Sequence, residues 1–342
     1  MADPFADAGK ILSLWKENLP DSSKSRFSRV YQANTGGRSW VWLATASGEG
    51  IHIGTTGLCS REISVNGCGT NAGVAMDFAV QQAHRGLGPA MKLQRAVTSS
   101  LQDKEIDFIY AFPSDQASSV FRFVGYETVG AMTRWAKILS SREKLKATLE
   151  NSFAARVASA IVDRVSAYRS VERTYKAPDG LIGEDGTAFD ERFDSLWRVA
   201  RRHFTIIGDR SSAYLNWRYP DVGSPSRSLF TVSTDSGTRL LGFVVYLVRD
   251  SVAHVEDLLV GNPFQDLDYL LGEFVAQMRK RGVHVITLSY IGNKTVVDRL
   301  VAWGFVAREV HRTIMVFVNG GYESAPFLLD PQQWHLLNGD DI

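Results

Sequence analysis

The chain has 342 residues, 44% hydrophobic and 22% charged, with a formal net charge of +1. The length points to two domains, and the near-neutral balance gives no electrostatic ground for a nucleic-acid partner. No apolar run reaches the roughly 18–20 residues that span a bilayer, and MADPFADAGK lacks the basic, apolar pattern of a secretory leader, so a cytoplasmic protein is expected.

In chain order, a helix over 8–18 and a second helical stretch near 22–31 precede strands over 40–45 and 50–58. VAMDFAV, 74–80, reads as a longer strand. After it, HRGLGPA (84–90) leads into a helix over about 89–104, with apolar positions at Met91, Leu93, Ala96, Val97 and Leu101. The strand IDFIYAF (106–112), a helix over 116–123 and strands near 126–129 and 131–138 follow. Leu145, Leu149, Phe153, Val157, Ile161, Val165 and Tyr168 form a stripe at three- and four-residue spacing, which predicts a long helix over roughly 142–173. Lys144, Lys146, Arg156, Arg164 and Arg169 lie on its polar faces. It reads as a connecting helix packed on both domains; a membrane-surface helix and a dimer seam are the other readings. Residues 180–186 read as a loop. Beyond them come a helix over 189–203, strands over 228–234, 239–248 and 252–260, a helix over 267–281, the strand HVITLSY, a helix over 294–303 and the strand HRTIMVFV.

The two halves echo one another. Ser13-Leu14-Trp15-Lys16 returns as Ser195-Leu196-Trp197-Arg198. Tyr31 and Tyr219 are each followed, at the same distance, by a hairpin-like glycine, Gly54 and Gly242. Gly125-Tyr126 is answered by Gly304-Phe305. The shared order of these echoes predicts a duplicated unit, with domains over 1–141 and 186–342 joined by 142–185. Cys59 and Cys68 are too few for a disulfide framework or a zinc site with paired ligands, and no metal is expected.

HRGLGPA lies where a strand hands over to a helix. The first N–H groups of a helix have no intrahelical partner, and its dipole is positive there. Gly86 and Gly88 leave the backbone bare, Arg85 adds a positive charge, and the small Ala90 keeps the helix start open. Together these can cradle a phosphate, or they can be a plain strand-to-helix turn. The stretch Arg85-Gly86-Leu87-Gly88-Pro89-Ala90 resembles the R/Q-x-x-G-x-G/A pyrophosphate loop of the GNAT (Gcn5-related) acyltransferases. Phe112-Pro113-Ser114 through Gly125-Tyr126 is similar to that family's late segment.

The resemblance implies an α+β fold of two tandem GNAT-like domains, each a mixed, mostly antiparallel sheet flanked by helices, joined by a long helical linker. It also implies acetyl-CoA or another acyl-CoA as cosubstrate. Arg85, Gly86, Leu87, Gly88, Pro89 and Ala90 would hold the pyrophosphate. Val80 would pair with the pantetheine arm as an extra strand would. Pro89, placed at the first helical position, withholds one N–H donor. The family's Asn slot holds Ser114, and its Tyr slot holds Phe121, which cannot donate a proton. Tyr126, Tyr110 or water would then protonate the leaving thiolate.

Asp77 interrupts the apolar VAMDFAV just before the cradle. It is either a general base with a raised pKa or a structural residue that caps a loop or pairs with an arginine. His84 reads as a solvent-facing neighbour of the loop. In the second half, GNPFQDLDYLL lacks the paired small residues and carries aspartates that would repel a pyrophosphate. Glu256 and Asp257 are carboxylates that either face an acceptor or serve structure, with Arg218 as a possible partner. The expected activity is transfer of an acyl group from coenzyme A to the amine of a small molecule by direct attack in a ternary complex. A non-catalytic CoA-binding module and an acyl-carrier-protein-dependent transferase are the alternatives.

Overall fold

Asn66 and Gly67 both take positive φ, 51° and 80°. This Asn-Gly turn matches the twist of the strands it joins, and it folds His52–Val65 (β2) directly back onto Cys68–Val80 (β3). The hairpin is far longer than the separate strands expected over 50–58 and 74–80. Ser39–Thr45 (β1) flanks it on β2, and a single bridge from Ala2 to Val41 extends that edge. The computed structural model describes residues 1–19, 22–46, 50–101, 103, 105–139, 171–318, 320 and 322–342. The helix expected over 142–173 therefore lies almost wholly outside the described residues, as do the membrane and dimer readings placed on it.

Helix α1 (Ala8–Asn18) buries Ile11, Leu14 and Trp15. Helix α2 (Lys24–Phe27) follows and passes into a wide turn, Ser28–Gln32, that buries Val30 and Tyr31. After β3 come helix α3 (Leu87–Thr98), β4 (Phe108–Ala111), α4 (Asp115–Val124) and β5 (Glu127–Ile138). Two strands were expected over 126–138. The ladder with β12 (Val306–Val318) instead carries β5 through Gly130 as one strand, with a bulge at Val129.

Ile182–Gly186 is an edge strand (β6) antiparallel to β8 (Ser228–Thr234), not a loop. IGEDG hides its strand character because its middle three residues are exposed. Helix α5 (Glu191–Ala200), β7 (Ile206–Gly208) and helix α6 (Ser212–Arg218) precede β8. Then come β9 (Arg239–Arg249), β10 (Val252–Val260), α7 (Asp266–Lys280), β11 (Val285–Gly292), α8 (Lys294–Ala302), β12, a short helix α9 (Ala325–Leu328) and β13 (Trp334–Leu337).

The strands form one sheet in the order β13-β7-β2-β3-β4-β12-β5-β11-β10-β9-β8-β6, with β1 on β2. Each half repeats strand, helix, strand, helix, strand: β3-α3-β4-α4-β5 and β10-α7-β11-α8-β12. Their last strands are exchanged. β12 pairs with β4 of the first half, and β5 pairs with β11 of the second. The sheet does not divide at the expected boundary, and one apolar core carries residues from both halves, from Trp15 and Phe27 to Phe243 and Trp334. An exchange of this kind gives two units a common sheet in place of two edges to protect.

Candidate functional site

β3 and β4 run parallel only from the Ala72–Phe108 pair to the Ala75–Ala111 pair. Beyond Ala75 the strands part. The cause lies in β3: two residues, Asp77 and Phe78, oppose Thr56 alone, which is a β-bulge. Asp77 takes φ 50°, a left-handed conformation that aspartate tolerates better than most residues. Its Oδ1 accepts from Arg26 Nη1 at 2.7 Å, and its Oδ2 accepts from the Tyr31 hydroxyl at 2.7 Å. The bulge is thus pinned from the α2 region. The result is a cleft of about 830 Å³, lined on the β3 side by Ala75, Met76, Asp77 and Phe78.

The glycine-rich stretch lies beyond the end of β3. Helix α3 begins at Leu87 with Gly86 as N-cap and no side chain capping it. The N–H groups of Leu87 and Gly88 have no intrahelical partner. A Cβ on Gly86 or Gly88 would meet nothing within 4 Å, and residues 84–88 are exposed. The cradle is therefore open to a ligand, and its bare donors and positive dipole suit a pyrophosphate. Arg85 folds back, its Nε donating to Val80 O at 3.3 Å. Pro89 is the third helical residue, not the first, because the helix starts two residues earlier than expected. It still withholds an N–H from the first turn. Ala90 is buried beneath the loop, and His84 ends a short 3-10 turn in solvent.

Other expected residues are placed less simply. Ser114 lines the cleft, but its hydroxyl caps α4 by accepting from Ala117 N at 3.4 Å. Phe121 lines the cleft and packs edge-on against Phe78, with ring centroids 5.8 Å apart. Tyr126 stands behind Phe121, 4.8 Å between centroids, and does not line the cleft. Its buried hydroxyl has no hydrogen-bond partner among the described residues, and burial pushes its pKa well up. That position does not suit a proton donor to the cleft. Tyr110 is also buried, and its hydroxyl accepts from Arg61 Nη1 at 2.7 Å. Cys59 is buried in β2 and Cys68 is exposed. Among the described residues no group of His, Cys, Asp or Glu could hold a metal, and no helix is long and apolar enough to cross a membrane.

No protein-family model matches the sequence, and no curated protein matches it. Solved structures do. A GCN5-related N-acetyltransferase from Kribbella flavida superposes with a TM-score of 0.61 at 13% identity, over 93% of this chain and 70% of that one. Eis1 from Mycobacterium abscessus gives 0.63 at 12% identity, over 96% and 75%. N-myristoyltransferase from Saccharomyces cerevisiae, solved with myristoyl-CoA bound, gives 0.54 at 11% identity, over 92% and 76%. The chain has the GNAT fold.

The second half of the sheet has a similar opening, and the chain fills it. β10 carries a bulge at Glu256, and β10 and β11 pair only from Val252–Val285 to Val255–Leu288. β13 then enters beside β11, pairing Tyr290 with Leu337 and Gly292 with His335. The contact is so close that a Cβ on Gly292 would sit 1.7 Å from Trp334 O. Asn293, which caps α8, also donates its N–H to Trp334 O at 3.0 Å. In the turn before α7, two main-chain donors are already used within the chain. Asp266 accepts from Asn262 N at 2.8 Å, and Asn262 Oδ1 accepts from Phe264 N at 3.0 Å.

A buried charge network anchors this tail. Asp340 lies 2.8 Å from both Arg61 of β2 and Arg210, and Arg210 also pairs with Asp257 at 2.9 Å. All four side chains are at most 1% exposed, two positive and two negative. Burial disfavours the charge on Asp340, but Arg210 and Arg61 outweigh it and hold the carboxyl well below the usual range. Asp257 also accepts from Tyr219 at 3.2 Å, as Asp77 accepts from Tyr31. Asp257 is therefore structural, and Arg218 is not its partner. Arg218 instead donates to Gly339 O and Asp341 O, at 3.0 and 2.8 Å. Glu256 pairs with Arg227 at 2.5 Å and lines the first half's cleft.

The tail also reaches that cleft. Asp341 and Ile342 line it, and Ile342 O accepts from Arg26 Nη2 at 2.7 Å. Sequence reasoning missed Arg26 and the tail. RFSRVY carries no motif that points to the cleft, and nothing in NGDDI signals its destination.

Proposed function

We propose that the protein is an acyl-CoA-dependent N-acyltransferase, an acetyltransferase in the simplest case, acting on the amine of a small molecule in a ternary complex. The observation that carries this reading is the parting of β3 from β4 next to an open glycine cradle at the start of α3. In this reading residues 1–141 are the cofactor-binding unit. Residues 186–342 are a duplicated copy whose own cleft is closed by β13, and 142–185 join them.

The residues present fit a CoA thioester, which would supply an acyl group already activated for transfer to nitrogen. Leu87 and Gly88 would donate main-chain hydrogen bonds to its pyrophosphate, with Arg85 adding charge. Met76 to Val80, unpaired on the β4 side, would offer main-chain groups to its arm. Phe78 and Phe121 make that part of the cleft apolar. Asp77 lines the cleft beside these residues and would take the acceptor's proton through water, while Arg26 and Tyr31 fix its position. An acyl-carrier protein presents the same arm and is a variant donor.

Asp77→Asn is then expected to lower turnover at neutral pH by more than tenfold and to change acyl-CoA affinity by less than about twofold. Unchanged turnover would leave Asp77 only the task of pinning the bulge. Phe121 in the Tyr slot favours a second reading, a CoA-binding module without transfer. Free-thiol release across a broad amine panel separates the two: binding without release supports the module.

A further inference from the structure

The cleft holds more positive charge than the chain neutralises. Each of its side-chain carboxylates already has an arginine. Asp77 pairs with Arg26 at 2.7 Å, Glu256 with Arg227 at 2.5 Å and Asp341 with Arg312 at 2.6 Å. Three further arginines line the same cleft: Arg29 beyond α2, Arg218 at the end of α6 and Arg249 at the end of β9. None of them forms an ion pair among the described residues. Arg218 donates only to main-chain carbonyls. Arg29 Nε is buried with no hydrogen-bond partner among the described residues. Burial, and then the charges of Arg218, Arg26 and Arg227, push the Arg29 pKa down from its usual value. Arg249 is exposed, and its side chain makes no hydrogen bond with a described residue.

Guanidinium groups repel one another, and the cost grows as water is excluded. A cationic acceptor would add to that repulsion, and a neutral one would leave it in place. An anion relieves it, and the planar fork of arginine fits carboxylate and phosphate oxygens in pairs. Two of the three arginines come from the second half and one from the first, so both halves would shape the acceptor's site. We propose that the acceptor carries a carboxylate or phosphate near its amine, held by Arg29, Arg218 and Arg249. This deepens the acyltransferase reading and rests on it.

The test uses matched amines with the full-length protein: β-alanine against β-alaninamide, and O-phosphoethanolamine against ethanolamine. Thiol release from acetyl-CoA reads transfer, and saturation-transfer NMR reads amine binding alone. The expected result is at least about a tenfold preference for the charged member of one pair. That preference should fall about tenfold in Arg29→Gln and in Arg249→Gln, with acetyl-CoA binding unchanged in both. The carboxylate and phosphate arms distinguish which anion is read. Equal or better use of the neutral amines, or a preference that survives both substitutions together, overturns the proposal. If acetyl-CoA fails to bind but NMR shows arginine-dependent binding of a charged amine, the anion site stands and the transfer reading falls. If acetyl-CoA binds and no charged amine shows arginine-dependent binding, the anion site falls alone.

Discussion

Lowering the pH from 7 to 5 should cost the protein about 2 kcal/mol through His335 alone. This residue of β13 is 1% exposed. Its Nε2 lies 3.0 Å from Leu258 O, which can only accept, so the ring carries its proton there. Nδ1 then accepts from the Tyr290 hydroxyl at 3.3 Å, and Phe204 lies against the ring at 4.3 Å between centroids. A second proton, on Nδ1, would require the Tyr290 hydroxyl to turn from donor to acceptor. Burial, and then the charge of Arg210, push the imidazole pKa down to about 4, against about 6.5 in the unfolded chain.

The folded value is the lower one, so the unfolded chain takes the proton first as pH falls. The stability from the neutral ring is complete above pH 6.5 and is lost as pH drops towards 4. Linkage gives a loss of about 2 kcal/mol at pH 5 and about 3 kcal/mol at pH 4. Carboxylates with ordinary pKa values change little between pH 7 and 5, and those that burial pushes up, Asp257, Asp266 and Asp341, are present in both proteins of the comparison below. His254 is pushed down too, by burial and then by Arg249 and Arg134, so the comparison must be between variants. Urea unfolding of wild type and His335→Gln at pH 7 and pH 5 is the assay. Gln can keep one donor and one acceptor there, and its pH-dependent loss should be smaller by about 2 kcal/mol. Equal losses in the two proteins would refute the reasoning.

Asp340→Asn should destabilise the fold by about 3–5 kcal/mol, because Arg61 and Arg210 would keep their charge with only Asp257 to answer it; a loss under about 1 kcal/mol in urea unfolding would mean the network is hydrated. Tyr126→Phe should leave turnover unchanged and stabilise the protein by up to about 1 kcal/mol, since it removes a buried hydroxyl with no partner among the described residues. A tenfold fall in turnover would restore Tyr126 as the proton donor.

The local elements were largely legible in the sequence, and the joining of the halves was not. Helix 8–18 and strand 228–234 have the bounds read from the sequence, and VAMDFAV followed by paired glycines marks the cradle. Asn66-Gly67 is a plain hairpin signal that would have given the full β2–β3 ladder. The exchange of β5 and β12 leaves no trace in local pattern, because either partner would bury the same apolar residues. The cradle is local, with its residues within one turn of helix, and so it could be read. The cleft's charge is not local: Arg26, Arg218, Arg249 and Asp341 meet only because the sheet is continuous. Asp77 shows both limits, since its place in an apolar strand flagged it, while its arginine was nameable only from the fold.

The central claim is that the parted strands and the bare start of α3 hold a CoA thioester. Calorimetry of acetyl-CoA with wild type and Gly88→Val tests it most directly. A Cβ at Gly88 meets nothing in the protein, so the valine variant should fold with an unfolding midpoint close to that of wild type. Its side chain would stand where the pyrophosphate must approach, so affinity should fall at least about tenfold. No binding to wild type at millimolar acetyl-CoA, or equal affinity in a well-folded Gly88→Val, would contradict the account.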